Sequence, residues 1–307
     1  MASIFVTRAL PFPALDRLRE AHDVDERRGD MPPSPQELRA GARHAEGLLT
    51  LITDRVDEAL LDGAPRLRAI ANMGVGTDNI DVEACAARGI PVGNTPDVLT
   101  DATADLAFAL LLALARRIVP GEAKVRSGEW QTWEPAGDLG ADLAGAVLGI
   151  VGWGRIGQAV ARRAEGFGME VVHSSRSSGV PLEELLERAD FVSLHTPLTP
   201  ETRHLIGATA LARMKRSALL VNTARGGVVD QDALREALHA GEIAGAALDV
   251  TDPEPLPADH ALLDSPNLLV VPHVGSATVR TRAKMAEMAV ENLLAALDGR
   301  PMPHQVA

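Results

Sequence analysis

The chain contains a single cysteine, Cys85, and no tyrosine. One cysteine cannot form an intramolecular disulfide, and it cannot supply a cysteine-rich zinc site. Such sparing use of cysteine fits a reducing compartment. The composition therefore predicts a cytoplasmic protein without a metal centre.

Long hydrophobic runs are also missing. The longest apolar stretch, Leu106 to Ala115, has ten residues, about half of what spans a bilayer. The first residues offer only a short apolar run before Thr7 and Arg8, far less than the core of a secretory signal requires. We expect no membrane segment and no export signal.

Positive charge is scarce, because 30 basic residues face 42 acidic ones and the formal net charge is −12. Binding to nucleic acid through phosphate contacts is disfavoured, since any basic patch would act against the acidic protein around it. Only three of the basic residues are lysines (Lys124, Lys215 and Lys284). Arginine is the ordinary cation here, so the residue type alone does not mark an arginine as functional.

The 307 residues favour two domains of ordinary size. Short β-rich runs (SIFVT, GLLTLI, LRAIANMG and IPVGN) alternate from the N-terminus with helical segments (PALDRLREA, DEALLDGA and DVEACAARG). This arrangement is typical of parallel sheets with crossover helices. The pattern pauses near Asn94 to Asp97, and we predict one long helix over Thr100 to Val119, followed by an exposed excursion over Pro120 to Ala144. From Ala146 the alternation resumes with six candidate strands, which suit a doubly wound nucleotide-binding domain.

The predicted fold class is α/β, with two doubly wound parallel-sheet domains. Residues 1–97 form a flavodoxin-like substrate domain, and residues 98–283 form a Rossmann domain that binds NAD(P). A last helix, roughly Thr281 to Leu297, returns to the first domain, so that 284–307 complete it and make it discontinuous.

A G-x-G-x-x-G pattern, formed by Gly152, Gly154 and Gly157, lies between an apolar strand and a predicted helix. The pattern is weak by itself, but this context is the one that a dinucleotide-binding fingerprint requires. Small residues allow the tight turn and the close approach of backbone to pyrophosphate, and the helix N-terminus presents free N–H groups to the anion. The alternative is an ordinary tight turn between strand and helix.

The next strand ends in Ser174, Ser175 and Arg176, and no acidic residue occurs between Glu170 and Glu183. NAD-binding domains usually place a carboxylate about 20 residues after the glycines to hold the ribose 2′-hydroxyl, whereas an arginine accepts a 2′-phosphate. Hydroxyls and a guanidinium can donate to that phosphate. We therefore predict NADP(H), with NAD(H) as the alternative if Arg176 is merely an exposed arginine.

Three more titratable residues follow later strands of the second half: Arg225, Glu254 and His273. Ligands of open α/β sheets bind beyond the carboxyl ends of the strands, so these side chains should converge. A histidine moves a proton near neutral pH, and a neighbouring carboxylate orients it. We predict that His273 and Glu254 handle the proton and that Arg225 grips the oxygens of a 2-oxo acid. Each residue alone has a structural explanation, but the set favours catalysis.

Several runs of sequence resemble the D-isomer-specific 2-hydroxyacid dehydrogenase family over nearly the whole chain. They are VGWGRIG, NTARGGVVD, LDVTDPEPLP and PHVGSAT in the second half, and NMGVGTDNID and TPDVLTDATADLAFALLLA in the first. Within that family, LITDRVD, GEWQTW and HVGSATVRTR look most like glyoxylate and hydroxypyruvate reductases, a group that commonly uses NADPH.

The resemblance implies that Arg225, Glu254 and His273 are catalytic, that the backbone N–H groups of Val75 and Gly76 hold the substrate carboxylate, and that Asp249 meets the nicotinamide carboxamide. It also implies a homodimer joined through the nucleotide-binding domain, with Trp130 and Trp133 near the partner. The remaining residues that it places along the cofactor are Thr103, Arg155, Ile156, His195, Thr196, Pro197, Thr202, Thr223, Ala224 and Gly275.

The predicted activity is NADPH-dependent reduction of glyoxylate, hydroxypyruvate or both to the D-2-hydroxy acid. The alternatives are an NAD-linked dehydrogenase for 2-ketogluconate, 3-phosphoglycerate or D-lactate, and a dinucleotide-sensing corepressor-like binding protein. The absence of tyrosine disfavours D-lactate, because the lactate dehydrogenases of this family use tyrosines near the substrate. The stretch EPAGDLGADL after Trp133 lacks the bulky apolar residues of eukaryotic-type reductases, which leaves the shape of the substrate pocket open.

Overall fold

A computed structural model describes residues 1–10 and 12–306. The chain divides into two compact units. Unit 1 comprises Met1–Leu99 and Ala277–Ala307, and unit 2 comprises Thr100–Ser276. In the described residues, no helix combines the length and the apolarity that a membrane span needs.

Unit 1 begins with strands and helices in alternation. Its elements are β1 (Ser3–Val6), α1 (Ala14–Ala21), β2 (Asp23–Glu26), α2 (Pro35–Ala42), β3 (Gly47–Thr50), α3 (Glu58–Gly63), β4 (Ala69–Asn72), α4 (Val82–Ala87) and β5 (Val92–Gly93). All pairs are parallel and the strand order is β2-β1-β3-β4-β5, the flavodoxin-like order. Apolar runs make β1, β3 and β4 strands that are buried on both faces, as expected for a covered parallel sheet.

Two elements of unit 1 are absent from the sequence prediction. Strand β2 reads DVDE and alternates between exposed and half-buried residues at the sheet edge, so it carries no apolar run. Helix α2 does carry a readable start: Ser34 and Glu37 form a capping box, and Pro35 occupies the first turn. This combination is a known N-terminal signature of helices.

Unit 2 contains α5 (Thr100–Ala115), α6 (Ile118–Arg126), β6 (Val147–Val151), α7 (Arg155–Gly166), β7 (Glu170–Ser174), α8 (Leu182–Arg188), β8 (Phe191–Leu194), α9 (Ala208–Arg213), β9 (Leu219–Asn222), α10 (Gln231–Ala240), β10 (Gly245–Leu248) and β11 (Leu268–Val270). The six strands are parallel in the order β11-β10-β9-β8-β6-β7. Helices α5 and α7 cover one buried cluster, and α8, α9 and α10 cover another. The predicted fold class, two doubly wound parallel-sheet domains, is confirmed.

The order of the strands reverses at β6, which lies between β7 and β8. The chain therefore leaves β6 toward one side of the sheet and returns on the other. In open α/β sheets, ligands bind at this switch point, beyond the carboxyl ends of the strands. The glycine loop 152–157 directly follows β6 and so occupies it.

The prediction of one helix from Thr100 to Val119 was wrong. Helix α5 ends at Ala115, and Arg117 adopts a left-handed backbone (φ 51°) that starts α6. Pro120 lies in the first turn of α6, where a missing N–H costs little. The predicted irregular excursion therefore begins only after Arg126.

The last helix, α11, spans Val279–Leu297 and packs on α1, β3 and β4 of unit 1. Its start lies before the domain boundary predicted at 283/284. Thr278 caps it by accepting the N–H of Thr281. A buried Asn292 donates to the carbonyl of Asn94 and accepts the N–H of His304, and so fixes the C-terminal segment within unit 1.

Candidate active site

The glycines of the 152–157 loop serve two different purposes. A Cβ on Gly152 (φ 100°) would lie 2.5 Å from the carbonyl oxygen of His195, and one on Gly157 would lie 2.2 Å from that of Gly152. A Cβ on Gly154 would meet no atom within 4 Å. Gly152 and Gly157 thus permit close packing, whereas Gly154 leaves open space at the start of α7. This space allows backbone to approach a pyrophosphate.

Three polar atoms at the ends of β8 and β9 are buried without a hydrogen-bond partner: Nδ1 of His195, Oγ1 of Thr196 and Oγ1 of Thr223. Leaving such groups unpaired in the folded state is costly, so a polar ligand is the natural partner. Burial lowers the pKa of His195 to about 3, and its Nε2 lies 2.8 Å from Oγ of the buried Ser193. His195 is therefore neutral at neutral pH. Together with the open space at Gly154, these atoms fit a bound dinucleotide.

The turn after β7 presents Ser175, Arg176 and Ser178 at the surface of unit 2. The hydroxyl of Ser175 accepts the N–H of Ser178 and lies 2.9 Å from the hydroxyl of that serine. Arg176 is exposed. A hydrogen bond from Thr199, helped by the positive charge of Arg176, lowers the pKa of Glu201. The end of β7 carries no acidic residue. Glu201, in the loop after β8, nevertheless places a carboxylate near Arg176, and the sequence did not reveal this proximity.

His273 and Glu254 are in direct contact through Nδ1 of the imidazole and Oε1 of the carboxylate. The two side chains are 25% and 35% exposed, so a substrate can reach them. His273 has a left-handed backbone (φ 52°), and its N–H donates to the carbonyl oxygens of Asp249 and Val271. Because Nδ1 is held by Glu254, Nε2 is the ring atom directed to other partners.

Asp249 holds the segment that carries His273. Its carboxylate accepts the N–H of Val274 at 2.6 Å and that of Gly275 at 2.9 Å. Burial raises the pKa of Asp249, while these hydrogen bonds oppose the rise. A carboxylate has about four acceptor positions, so Asp249 keeps capacity for a cofactor amide as well.

Arg225 follows β9 and is half-buried. Its Nη1 donates to the carbonyl of Ala224, and its own carbonyl accepts from Nδ2 of the buried Asn222. The next residue, Gly226, packs so tightly that a Cβ would lie 2.0 Å from the carbonyl of Thr251. The Arg225 loop therefore packs against the loop that follows β10.

The loop at 74–76 in unit 1 is fixed by its carbonyl oxygens. Those of Gly74, Val75 and Gly76 accept hydrogen bonds from the N–H of Thr95, from Nδ2 of Asn94 and from Nδ2 of Asn72. Since N–H and C=O of one peptide unit point in opposite directions, the N–H groups of residues 75 to 77 face away from these anchors. N–H groups oriented in this way can donate to an anion.

The other predicted cofactor residues of unit 2 lie on several elements. Thr103 is buried on α5, close enough to Gly275 that a Cβ there would lie 3.4 Å from its side chain. Thr202 donates to the carbonyl of Pro197 at 2.6 Å. Arg155 and Ile156 open α7, and Ala224 donates its N–H to Asn222. Among residues 1–10 and 12–306, no three His, Cys, Asp or Glu side chains are grouped to hold a metal.

Sequence reasoning missed the amide side chains that hold the loops. Asn72, Asn94 and Asn222 are buried, and each directs its amide at a loop carbonyl. Gln231 bonds both the N–H and the carbonyl of Asp252, in the loop that carries Glu254. An asparagine at the end of a buried strand was the available signal, since such a residue needs polar partners.

A model of the D-isomer specific 2-hydroxyacid dehydrogenase NAD binding domain matches residues 108–275. A glyoxylate reductase of Korarchaeum cryptofilum is 49% identical over 99% of this chain and 95% of its own length. A solved structure of a Thermus thermophilus protein has a TM-score of 0.95 and 53% identity, covering 99% of this chain and 100% of that one.

A further solved structure, an NADPH-dependent glyoxylate/hydroxypyruvate reductase of Sinorhizobium meliloti, has a TM-score of 0.85 and 34% identity. The alignment covers 100% of this chain and 98% of that one. The matched domain model spans more than half of the chain, and the relatives cover 99–100% of it. The chain therefore belongs to the D-isomer-specific 2-hydroxyacid dehydrogenase family of oxidoreductases.

Proposed function

We propose that this protein reduces glyoxylate, hydroxypyruvate or both to the D-2-hydroxy acid, with NADPH as the electron donor. The observation that carries the proposal is the contact between His273 and Glu254, held by Asp249 on the same edge of the sheet as the glycine loop. Relatives named glyoxylate reductase, such as that of Korarchaeum cryptofilum, support the substrate class.

His273 acts as the proton donor. Glu254 accepts from Nδ1, which orients the ring so that Nε2 delivers the proton to the carbonyl oxygen of the substrate. A dinucleotide held at its pyrophosphate by the glycine loop and at its nicotinamide by Asp249 would supply the hydride for the carbonyl carbon. The exposed fraction of His273, 25%, leaves it accessible to a small acid and to the water from which it regains a proton.

Two groups bind the oxygens of the substrate. The guanidinium of Arg225 holds the carbonyl or carboxylate oxygens through charge-assisted hydrogen bonds. The N–H groups of Val75 and Gly76 take the carboxylate, in the loop whose carbonyls are anchored by Asn72 and Asn94. A rigid loop of this kind keeps its donors preorganised, which favours an oxyanion.

The NADPH preference is supported by the turn after β7. Ser174, Ser175 and Arg176 can donate to a 2′-phosphate. The Sinorhizobium meliloti relative is described as NADPH-dependent, and one of its structures contains NADP and malonate. Asp249 and the three unpaired polar atoms near His195 would hold the rest of the cofactor.

The enzyme is further proposed to be a homodimer through unit 2. Helix α6 has no buried residue, and its apolar side chains Ile118, Val119 and Val125 are 50–57% exposed. In the following excursion, Trp130 and Trp133 are 61% and 78% exposed. Apolar side chains collected on one segment are typical of a protein interface. Light scattering of the wild type and of Val125→Asp tests this, with a monomeric wild type as the contradicting result.

The activity is tested by a rate panel of glyoxylate, hydroxypyruvate, pyruvate and 2-ketogluconate, each with NADPH and NADH. We expect glyoxylate and hydroxypyruvate to give the highest kcat/KM, each with NADPH. Arg176→Ala should reduce the preference for NADPH, whereas the exposed Arg213→Ala on α9 serves as its control. A higher kcat/KM with NADH, or no turnover of any 2-oxo acid, would contradict the proposal.

A further inference from the structure

The glycine loop after β6 and the strand β7 form the adenosine side of the proposed cofactor site, and they are in contact through two stacked aromatic rings. The indole of Trp153, between Gly152 and Gly154, stacks on the imidazole of His173 in β7, with ring centroids 3.9 Å apart and planes inclined by 16°. Both side chains are half-buried. The stack fixes the plane of the imidazole and hence the direction of its nitrogens.

The imidazole contacts the serine turn. Nε2 of His173 lies 3.3 Å from the hydroxyl of Ser178, and that hydroxyl lies 2.9 Å from the hydroxyl of Ser175. The turn also folds back on the backbone of His173, whose carbonyl accepts the N–H of Val180. Gly179 (φ 92°) is so close to this carbonyl that a Cβ would lie 2.0 Å from it. The turn is therefore assembled around His173.

We propose that His173 is a positioning residue for the 2′-phosphate of NADPH, acting through Ser178 and Ser175. The inference rests on the proposed use of NADPH. Nε2 of His173 holds the hydroxyl of Ser178, and the oxygen of that hydroxyl lies 2.9 Å from the hydroxyl of Ser175. The hydroxyl of Ser175 in turn donates to the carbonyl of Ser178. The contact with His173 therefore keeps both serines in one arrangement toward the phosphate.

Arg176 in the same turn supplies a positive charge for the phosphate, and Glu201 of the loop after β8 lies within electrostatic range of it. No acid occurs in the turn, and β6 contributes no charged residue.

Charged groups on the other elements packed against β7 are largely paired. Arg163 of α7 bonds Asp101 and Asp105, and Arg188 of α8 bonds Glu170 and Glu184. Glu187 bonds Arg213. The other titratable groups on α7 and α8 are Arg155, Arg162, Glu165 and Glu183.

The test measures the dissociation constants of NADPH and NADH for the wild type and four variants. His173→Phe keeps an aromatic ring on Trp153 but removes the nitrogens. Ser178→Ala removes the contact without touching the stack. A double variant combines these two changes, and His239→Phe, at an exposed position on α10, is the matched control.

Both site variants should bind NADPH about three- to tenfold more weakly than the wild type, with NADH binding unchanged. The double variant should show no further loss, since both changes break one contact.

The inference is overturned if both variants keep the wild-type ratio of NADPH to NADH affinity. It is also overturned if NADH binding weakens as much as NADPH binding, because this would mean a general structural role. The wild-type preference between the two cofactors tests the proposed function separately. A wild type that prefers NADH would contradict that proposal, whereas the shift between wild type and variants would still decide the role of His173.

Discussion

The main-chain carbonyl of Asp249 accepts the N–H of His273, and the carboxylate of the same aspartate accepts the N–H groups of Val274 and Gly275. Three consecutive residues are thus bound to one residue at the end of β10. His273 adopts a left-handed backbone there (φ 52°), which is uncommon for a residue with a side chain. The hydrogen bonds to Asp249 stabilise this conformation and direct the imidazole toward Glu254.

Replacing Asp249 by asparagine should therefore affect both stability and turnover. The amide group of asparagine would face a backbone N–H without an acceptor, and the variant should lose about 1 to 3 kcal/mol of unfolding free energy. We also expect a lower kcat, because the His273 segment is held less firmly. Urea unfolding and steady-state kinetics measure the two effects, with the exposed Asp264→Asn as the control. Wild-type stability and kcat in Asp249→Asn would contradict this role.

The contact between His273 and Glu254 leads to a kinetic prediction. His273→Ala should lower kcat by about 10² to 10⁴, the usual effect of losing a general acid, while the dissociation constant of the cofactor stays unchanged. Glu254→Gln keeps a hydrogen-bond acceptor but loses the charge, and we expect a smaller decrease in kcat.

The exposed Asp259→Asn in the same loop is the control for Glu254→Gln, since it removes one negative charge without touching His273. Stopped-flow and steady-state measurements of both variants would provide the check. If His273→Ala retains wild-type kcat, another group donates the proton.

The fold was largely predictable because buried parallel strands carry continuous apolar runs, as in β3 and β8. Strand β2 was not predictable, since an edge strand rich in acidic residues has no apolar run. The end of α5 was missed because it depends on the left-handed backbone of Arg117, a residue type that gives no warning of it. Apolar residues continue across this break, and periodicity alone extends the helix.

For the site, position after a strand indicated His273, Glu254 and Arg225 as candidates, because strand ends share one edge of a parallel sheet. The side chains that hold them were not predictable. Asn72 bonds the carbonyl of Gly76 and Gln231 bonds Asp252, and partners of this kind depend on side-chain directions that spacing does not specify. Glu201 was missed for the same reason, since it lies on a different loop from Arg176, whose charge acts on it.

The loop glycines predict a contrast between folding and binding. Gly154→Ala places a methyl group in open space, so the protein should fold normally but bind NADPH about ten- to hundredfold more weakly. In Gly157→Ala the methyl group would meet the carbonyl of Gly152, and the fold itself should lose about 1 to 3 kcal/mol. Gly166→Ala, at the other end of α7 and with open space around it, is the control. Equal cofactor affinity in Gly154→Ala and Gly166→Ala would show that the pyrophosphate does not lie at Gly154.

Burial of His195 predicts how stability depends on pH. Its pKa in the folded protein is lowered to about 3, whereas an unfolded chain has the ordinary value of about 6.5. Below about pH 6.5 the unfolded state binds a proton at His195 that the folded state does not bind, which favours unfolding. The unfolding free energy therefore has its full value above about pH 6.5 and decreases as the pH falls toward about 3. Between about pH 7.5 and about pH 5, the wild type should lose about 1 to 2 kcal/mol more unfolding free energy than His195→Gln. The exposed His239→Gln should follow the wild type. If the wild type and His195→Gln show the same pH dependence, the pKa of His195 is not lowered in the folded protein.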